Sequence, residues 1–141
     1  MKRLERIHIL SKADRLQPLR LFVERLLSGM GCADKDTRET VLAINEACMN
    51  VIQHAYHGDN EGEIIIEFYK SDFDLVVRMT DFSEAADLAS IKSRDLDEVR
   101  PGGLGVHFIS QLMDRVEYRN IHTEGSQNKA GNQLEMSKKI F

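Results

Sequence analysis

Hydrophobic residues recur along this chain at two different periods, and each change of period marks a new element. Leu4, Ile7 and Ile9 alternate with charged neighbours, which predicts an opening strand over residues 3–10. Leu16, Leu19, Phe22, Val23, Leu26 and Leu27 then recur at three- and four-residue steps. That spacing is a helix, with Asp14 placed to cap its start and Gly29 and Gly31 to end it. A second helix starts near Asp34 or Asp36 and runs to about Tyr56, where Gly58-Asp59-Asn60 stops it. Residues 63–69 and 75–79 read as two strands joined through Lys70-Ser71-Asp72. Residues 105–113 form a helix opened by glycines. Residues 116–121 and 133–140 are the last strands, separated by a polar loop over 122–132. Helices come early and hairpins late, so the fold class is α+β, a mainly antiparallel sheet with helices on one face.

The 141 residues fit a single domain over 1–141. With 42% hydrophobic and 30% charged residues, the chain is globular rather than disordered. No apolar run approaches the ~20 residues of a membrane span, and the first residues carry no signal-peptide core, so the expected location is the cytoplasm. Lys and Arg number 19 against 23 Asp and Glu, and a net charge of -4 argues against direct nucleic-acid binding. Cys32 and Cys48 are too few for a disulfide framework and show no zinc-site spacing. The charge is concentrated. Asp81, Glu84, Asp87, Asp95, Asp97 and Glu98 stand against only Lys92 and Arg94, a local excess equal to the whole net charge of -4. This segment has weak periodicity and ends in Pro101-Gly102-Gly103. It reads either as a solvated loop or as a lid.

Three places carry candidate chemistry. On the second helix, at about 100° per residue, Ile44, Cys48, Val51, Ile52 and Ala55 share one side and Glu46, Asn50, Gln53, His54 and His57 the other. A solvated face is the ordinary explanation. This one, however, sets a carboxylate, a carboxamide and an imidazole at successive turns with no lysine or arginine. The carboxylate of Glu46 can accept a proton, and the Asn50 oxygen, one turn on, suits Mg²⁺. Second, Gly102-Gly103-Leu104-Gly105 precedes a helix whose free N–H groups would suit phosphate. No P-loop spacing is present, and a dinucleotide fingerprint would have to follow a first strand, whereas these glycines lie late. Third, Asp81 ends a strand, where a carboxylate can accept from a donor such as an adenine amino group.

In this order and spacing the three motifs resemble the GHKL (histidine-kinase-like) ATPase superfamily. Within it, the chain is similar to the bacterial anti-sigma-factor serine/threonine kinases of partner-switching systems. Residues 43–56, the run Gly102-Gly103-Leu104-Gly105-Val106-His107-Phe108-Ile109 with Met113-Asp114, and Gly131-Asn132-Gln133-Leu134 carry the likeness. The resemblance implies a left-handed-crossover, two-layer α/β sandwich of the Bergerat type holding Mg-ATP beneath a lid at about 82–101. It implies that Asn50 binds Mg²⁺ and that Glu46 is the general base. Asp81 would take the adenine amino group, and Gly103, Leu104 and Gly105 would contact phosphate, with His54 also at the nucleotide. The family glycine two positions after the aspartate is Ser83 here, which would set a side chain in the path of the base. Asn132 stands where many relatives carry threonine, and Arg100 is a candidate for the γ-phosphate. The implied activity is phosphorylation of a serine or threonine on a small antagonist protein, with sequestration of a sigma factor or an equivalent regulator by a homodimer. Two other readings remain open: a degenerate GHKL module that sequesters a partner without phosphotransfer, and a plain α+β interaction domain.

Overall fold

A computed structural model describes residues 1–58, 61–84, 105–123 and 129–141. Strand β1 (Lys2–Leu10) is followed by a 3₁₀ turn (Ala13–Arg15) and helix α1 (Leu16–Gly29). Helix α2 (Asp34–Asn50) runs on into a π-helical turn (Val51–Ala55). Strands β2 (Glu63–Ser71) and β3 (Asp74–Asp81), helix α3 (Gly105–Leu112), and strands β4 (Arg115–Thr123) and β5 (Lys129–Lys139) complete the order. The five strands form one sheet, β1-β2-β3-β5-β4, antiparallel throughout. This is the α+β arrangement that the periodicity implies, in the two layers that the family resemblance implies.

The alternation within strands selects the face that meets the helices. Ile64, Ile66 and Phe68 of β2, Leu75, Val77 and Met79 of β3, and Leu134 and Met136 of β5 are buried in one cluster with Leu19, Val23 and Leu27 of α1 and Ala43, Ile44, Ala47 and Cys48 of α2. On the other face Arg78 sits directly opposite Glu135, and its Nε donates to Glu135 Oε1 at 2.7 Å. Arg119 reaches Glu135 as well, at 3.1 Å. Two helical details differ from the sequence expectation. Asp14 does not cap α1: it lies in the 3₁₀ turn, exposed and 3.8 Å from Arg15, and no side chain caps the helix. Pro18 supplies a reason, because the third residue of α1 has no N–H for a cap to satisfy. The second helix also changes character at Val51. Tyr56 N–H donates to Val51 O at 2.9 Å, and the chain then leaves through His57 (φ 50) and Gly58 (φ +82). Left-handed backbone at Gly58 carries no steric cost.

Helix α3 is stapled at its end. Lys138 is buried, at 8% exposure, and donates to Leu112 O at 2.7 Å while lying 3.4 Å from Glu39 of α2. One cation thus satisfies a free helix-end carbonyl and joins α2, α3 and β5.

Candidate functional site between the second helix and the third strand

Helix α2 and β3 run in the same direction where they meet. Cys48 Sγ lies 3.9 Å from Met79 Sδ, and eight residues further the Tyr56 hydroxyl accepts from Phe82 N–H at 2.8 Å. Asn50 and His54 therefore sit on the stretch of helix that leads to the Asp81 end of the strand. Gln53 and His57 are exposed, as a solvated face requires, but Glu46, Asn50 and His54 are only half-buried. Among the described residues, Asn50 Nδ2 and His54 Nε2 are fully buried atoms without a hydrogen-bond partner. An unpaired polar atom out of reach of water costs about 1–3 kcal/mol, so two on successive turns of one helix mark a surface prepared for a polar ligand.

Asp81 is the opposite case. It is 5% exposed, and its Oδ1 accepts from Ser83 Oγ at 2.6 Å, Ser83 N–H at 3.1 Å and Asn132 Nδ2 at 3.1 Å. Asn132 is the register partner of Asp81 across β3 and β5, and its amide also reaches Ser83 Oγ (3.0 Å) and Glu84 O (2.9 Å). Gly131 makes this approach possible, because a Cβ there would stand 2.1 Å from the Asp81 carbonyl oxygen. Ser83 is engaged by the residue it follows. Its hydroxyl is turned back onto the carboxylate it follows, closing an Asx-type turn. Three donors on Oδ1 fix the direction of the carboxylate.

Tyr56 links the two halves. Its hydroxyl donates to Glu63 O at 2.7 Å while accepting from Phe82 N–H. Burial, reinforced by the Asp81 carboxylate, pushes the phenol above its ordinary value, so it stays protonated. The sequence singled out neither Tyr56 for this role nor Gly62, whose missing side chain leaves room for the tyrosine ring at 2.6 Å. A Tyr followed by glycines was the available signal, and it is a weak one. Asp81, Ser83 and Asn132 are brought together; Glu46, Asn50 and His54 share the helix above them; Gly105 begins α3. Gly103, Leu104, Arg100 and all of the expected lid beyond Glu84 lie outside the described residues.

No group of three or more His, Cys, Asp or Glu side chains among the described residues could hold a metal alone. The donor set still fits Mg²⁺, which takes few protein oxygens and completes its shell with phosphate and water. The orphaned carboxamide of Asn50 has an oxygen to offer beside its unsatisfied nitrogen.

Likeness to known proteins puts this chain in a class of ATP-using kinases. Residues 9–138 match the family model described as histidine kinase-like ATPase domain, and the chain belongs to that family. A serine-protein kinase RsbW of Bacillus cereus (strain G9842) is 33% identical over 135 residues, covering 89% of this chain and 82% of the relative. Its counterpart in Bacillus velezensis is 32% identical over 111 residues, covering 72% and 69%. Among solved structures, the SiaB-SiaC complex of Pseudomonas aeruginosa matches with a TM-score of 0.71 at 13% identity, over 96% of this chain and 91% of that one. The RsbU and RsbW domains of Rv1364c from Mycobacterium tuberculosis match with a TM-score of 0.63 at 16% identity, over 97% of this chain and 32% of that one. The protein is a serine/threonine kinase of the anti-sigma-factor type built on the histidine-kinase-like ATPase fold.

Proposed function

We propose that this protein transfers the γ-phosphoryl group of Mg-ATP to a serine or threonine of a small, STAS-like antagonist protein. When free of that antagonist it holds a sigma factor or an equivalent regulator inactive. The observation that carries the reading is the pairing of two orphaned polar atoms, Asn50 Nδ2 and His54 Nε2, with a carboxylate held by three donors at the neighbouring strand end. A nucleoside triphosphate has the complementary parts: a polar phosphate chain and a base with an N–H donor.

In this reading Asp81 presents Oδ2 to the adenine amino group. Asn50 turns its carboxamide oxygen to Mg²⁺, and its nitrogen and His54 Nε2 face the phosphates. Bound Mg²⁺ supplies neutralisation of phosphate charge. Glu46, one turn before Asn50, accepts the proton of the substrate hydroxyl as the oxygen attacks. Gly103, Leu104 and the start of α3 at Gly105 offer backbone N–H groups to phosphate, and residues 82–101 act as the lid of a single domain over 1–141. The active form is a homodimer in the cytoplasm, with no nucleic acid or membrane among its partners. No helix of the described residues is long and apolar enough to cross a membrane. Incubation with labelled ATP, Mg²⁺ and the antagonist should move label onto an antagonist hydroxyl. ATP binding without any transfer would replace this reading with that of a sequestering module.

A further inference from the structure

Tyr56 occupies an unusual place in the hydrogen-bond ladder. Strands β2 and β3 pair in register up to Ile64 opposite Asp81. One step further, Glu63 C=O and Phe82 N–H would face each other as the next rung. They are bridged instead by the Tyr56 hydroxyl, which accepts from Phe82 N–H at 2.8 Å and donates to Glu63 O at 2.7 Å. A single oxygen inserted into the rung holds the strand ends apart. The ladder therefore ends directly after Asp81, and residues 82–84 are free to turn back so that Ser83 meets the carboxylate.

The hydroxyl is itself held in position. The Tyr56 N–H closes the π turn onto Val51 O at 2.9 Å, so the residue belongs to the helix that carries Asn50 and His54. Its ring lies against Gly62, where a Cβ would stand 2.6 Å from ring carbons. Gly62 in turn is pinned to the buried Ser11 by Ser11 N–H to Gly62 O (2.8 Å) and Gly62 N–H to Ser11 Oγ (3.0 Å). A π turn is a costly irregularity that recurs at functional sites, and here it delivers one hydroxyl to one rung.

We propose that Tyr56 is a positioning residue for base selection: it sets the Asp81 carboxylate at a fixed place relative to the Asn50–His54 helix. The proposal rests on the nucleotide reading above, with Asp81 as the acceptor for the 6-amino group of a purine. Tyr56 touches no part of the ligand. It acts on the base end of the site and leaves the phosphate end alone.

Tyr56→Phe keeps the ring on Gly62 and removes only the bridging oxygen, and with it the two hydrogen bonds that the hydroxyl makes to Phe82 N–H and Glu63 C=O. Calorimetric titrations with Mg-ATP and with Mg-ITP, whose base has a carbonyl in place of the amino group, read the effect. The expected result is about a tenfold loss of ATP affinity with ITP affinity unchanged, together with faster hydrogen exchange at the Phe82 amide. Gly62→Ala, which pushes the ring without altering the hydroxyl, should show the same loss of ATP preference and serves if the phenylalanine variant does not fold. Asp81→Asn separates the two ideas. An unaltered ATP preference in the Tyr56 and Gly62 variants, alongside its loss in Asp81→Asn, overturns the role of Tyr56 and keeps the nucleotide reading. An unaltered preference in Asp81→Asn overturns the nucleotide reading and the role of Tyr56 with it.

Discussion

The Ser83 hydroxyl lies 2.6 Å from the Asp81 carboxylate that precedes it by two residues, and Asn132, fifty-one residues away from Asp81, holds both. Removing the hydroxyl leaves Asp81 Oδ1 with fewer donors and a less fixed direction. Ser83→Gly is therefore expected to weaken Mg-ATP binding several-fold, although glycine is the residue that the family resemblance would restore. Calorimetry decides it. Tighter binding would show the side chain to be an obstruction.

Asn50→Ala should abolish phosphotransfer while leaving the melting temperature unchanged or slightly raised. The side chain makes no hydrogen bond to any described residue through its buried nitrogen, so truncation removes an unsatisfied group rather than a contact among them. A thermal melt without ligand, run beside the transfer assay, checks both halves. A clear drop in stability would make the residue structural.

Gly131→Ala should be among the most damaging single changes. Its Cβ would fall 2.1 Å from the Asp81 carbonyl oxygen, a backbone atom fixed in the β3–β5 ladder that cannot rotate away. A loss of about 3 kcal/mol or more is expected from overpacking and ladder distortion together. Chemical denaturation measures it, and a near-neutral result would show that the two strands can separate there.

Alkaline pH should destabilise the protein partly through Cys48. Burial pushes its thiol up to about 12, whereas the unfolded chain has an ordinary thiol of about 9. The unfolded state releases its proton first, so the folded state loses ground as pH rises between those values. The contribution is fully present below pH 9. Stability measured from pH 8 to 11 should fall less steeply in Cys48→Ala than in the unaltered protein. Equal slopes would remove the thiol from the account.

Much of the architecture was legible in the chain because its elements have strong and distinct periods. The alternation in β2 and β3 marked the strands, and the three- and four-residue steps through Val23 and Leu27 marked α1. The error at Asp14 came from a local rule that Pro18 made redundant. The π turn at Val51–Ala55 left no trace in the pattern, since one extra residue per turn barely disturbs a hydrophobic face over so short a run.

The candidate site divides along the same line. Residue types and their order along the chain, from Glu46 and Asn50 to Asp81, Ser83 and Asn132, were set by the sequence alone, and the family likeness follows from them. Which of those side chains face one another was decided by tertiary structure. Register opposes Asp81 to Asn132, the absence of a side chain at Gly131 lets their strands close, and the widened turn after Asn50 sends Tyr56 into the rung beyond Asp81. Local propensity acts over a few residues. Tyr56 and Phe82, Ser83 and Asn132, and Asp81 and Asn132 are separated by 26 to 51 residues, and only the packed sheet and helices bring them within hydrogen-bonding distance.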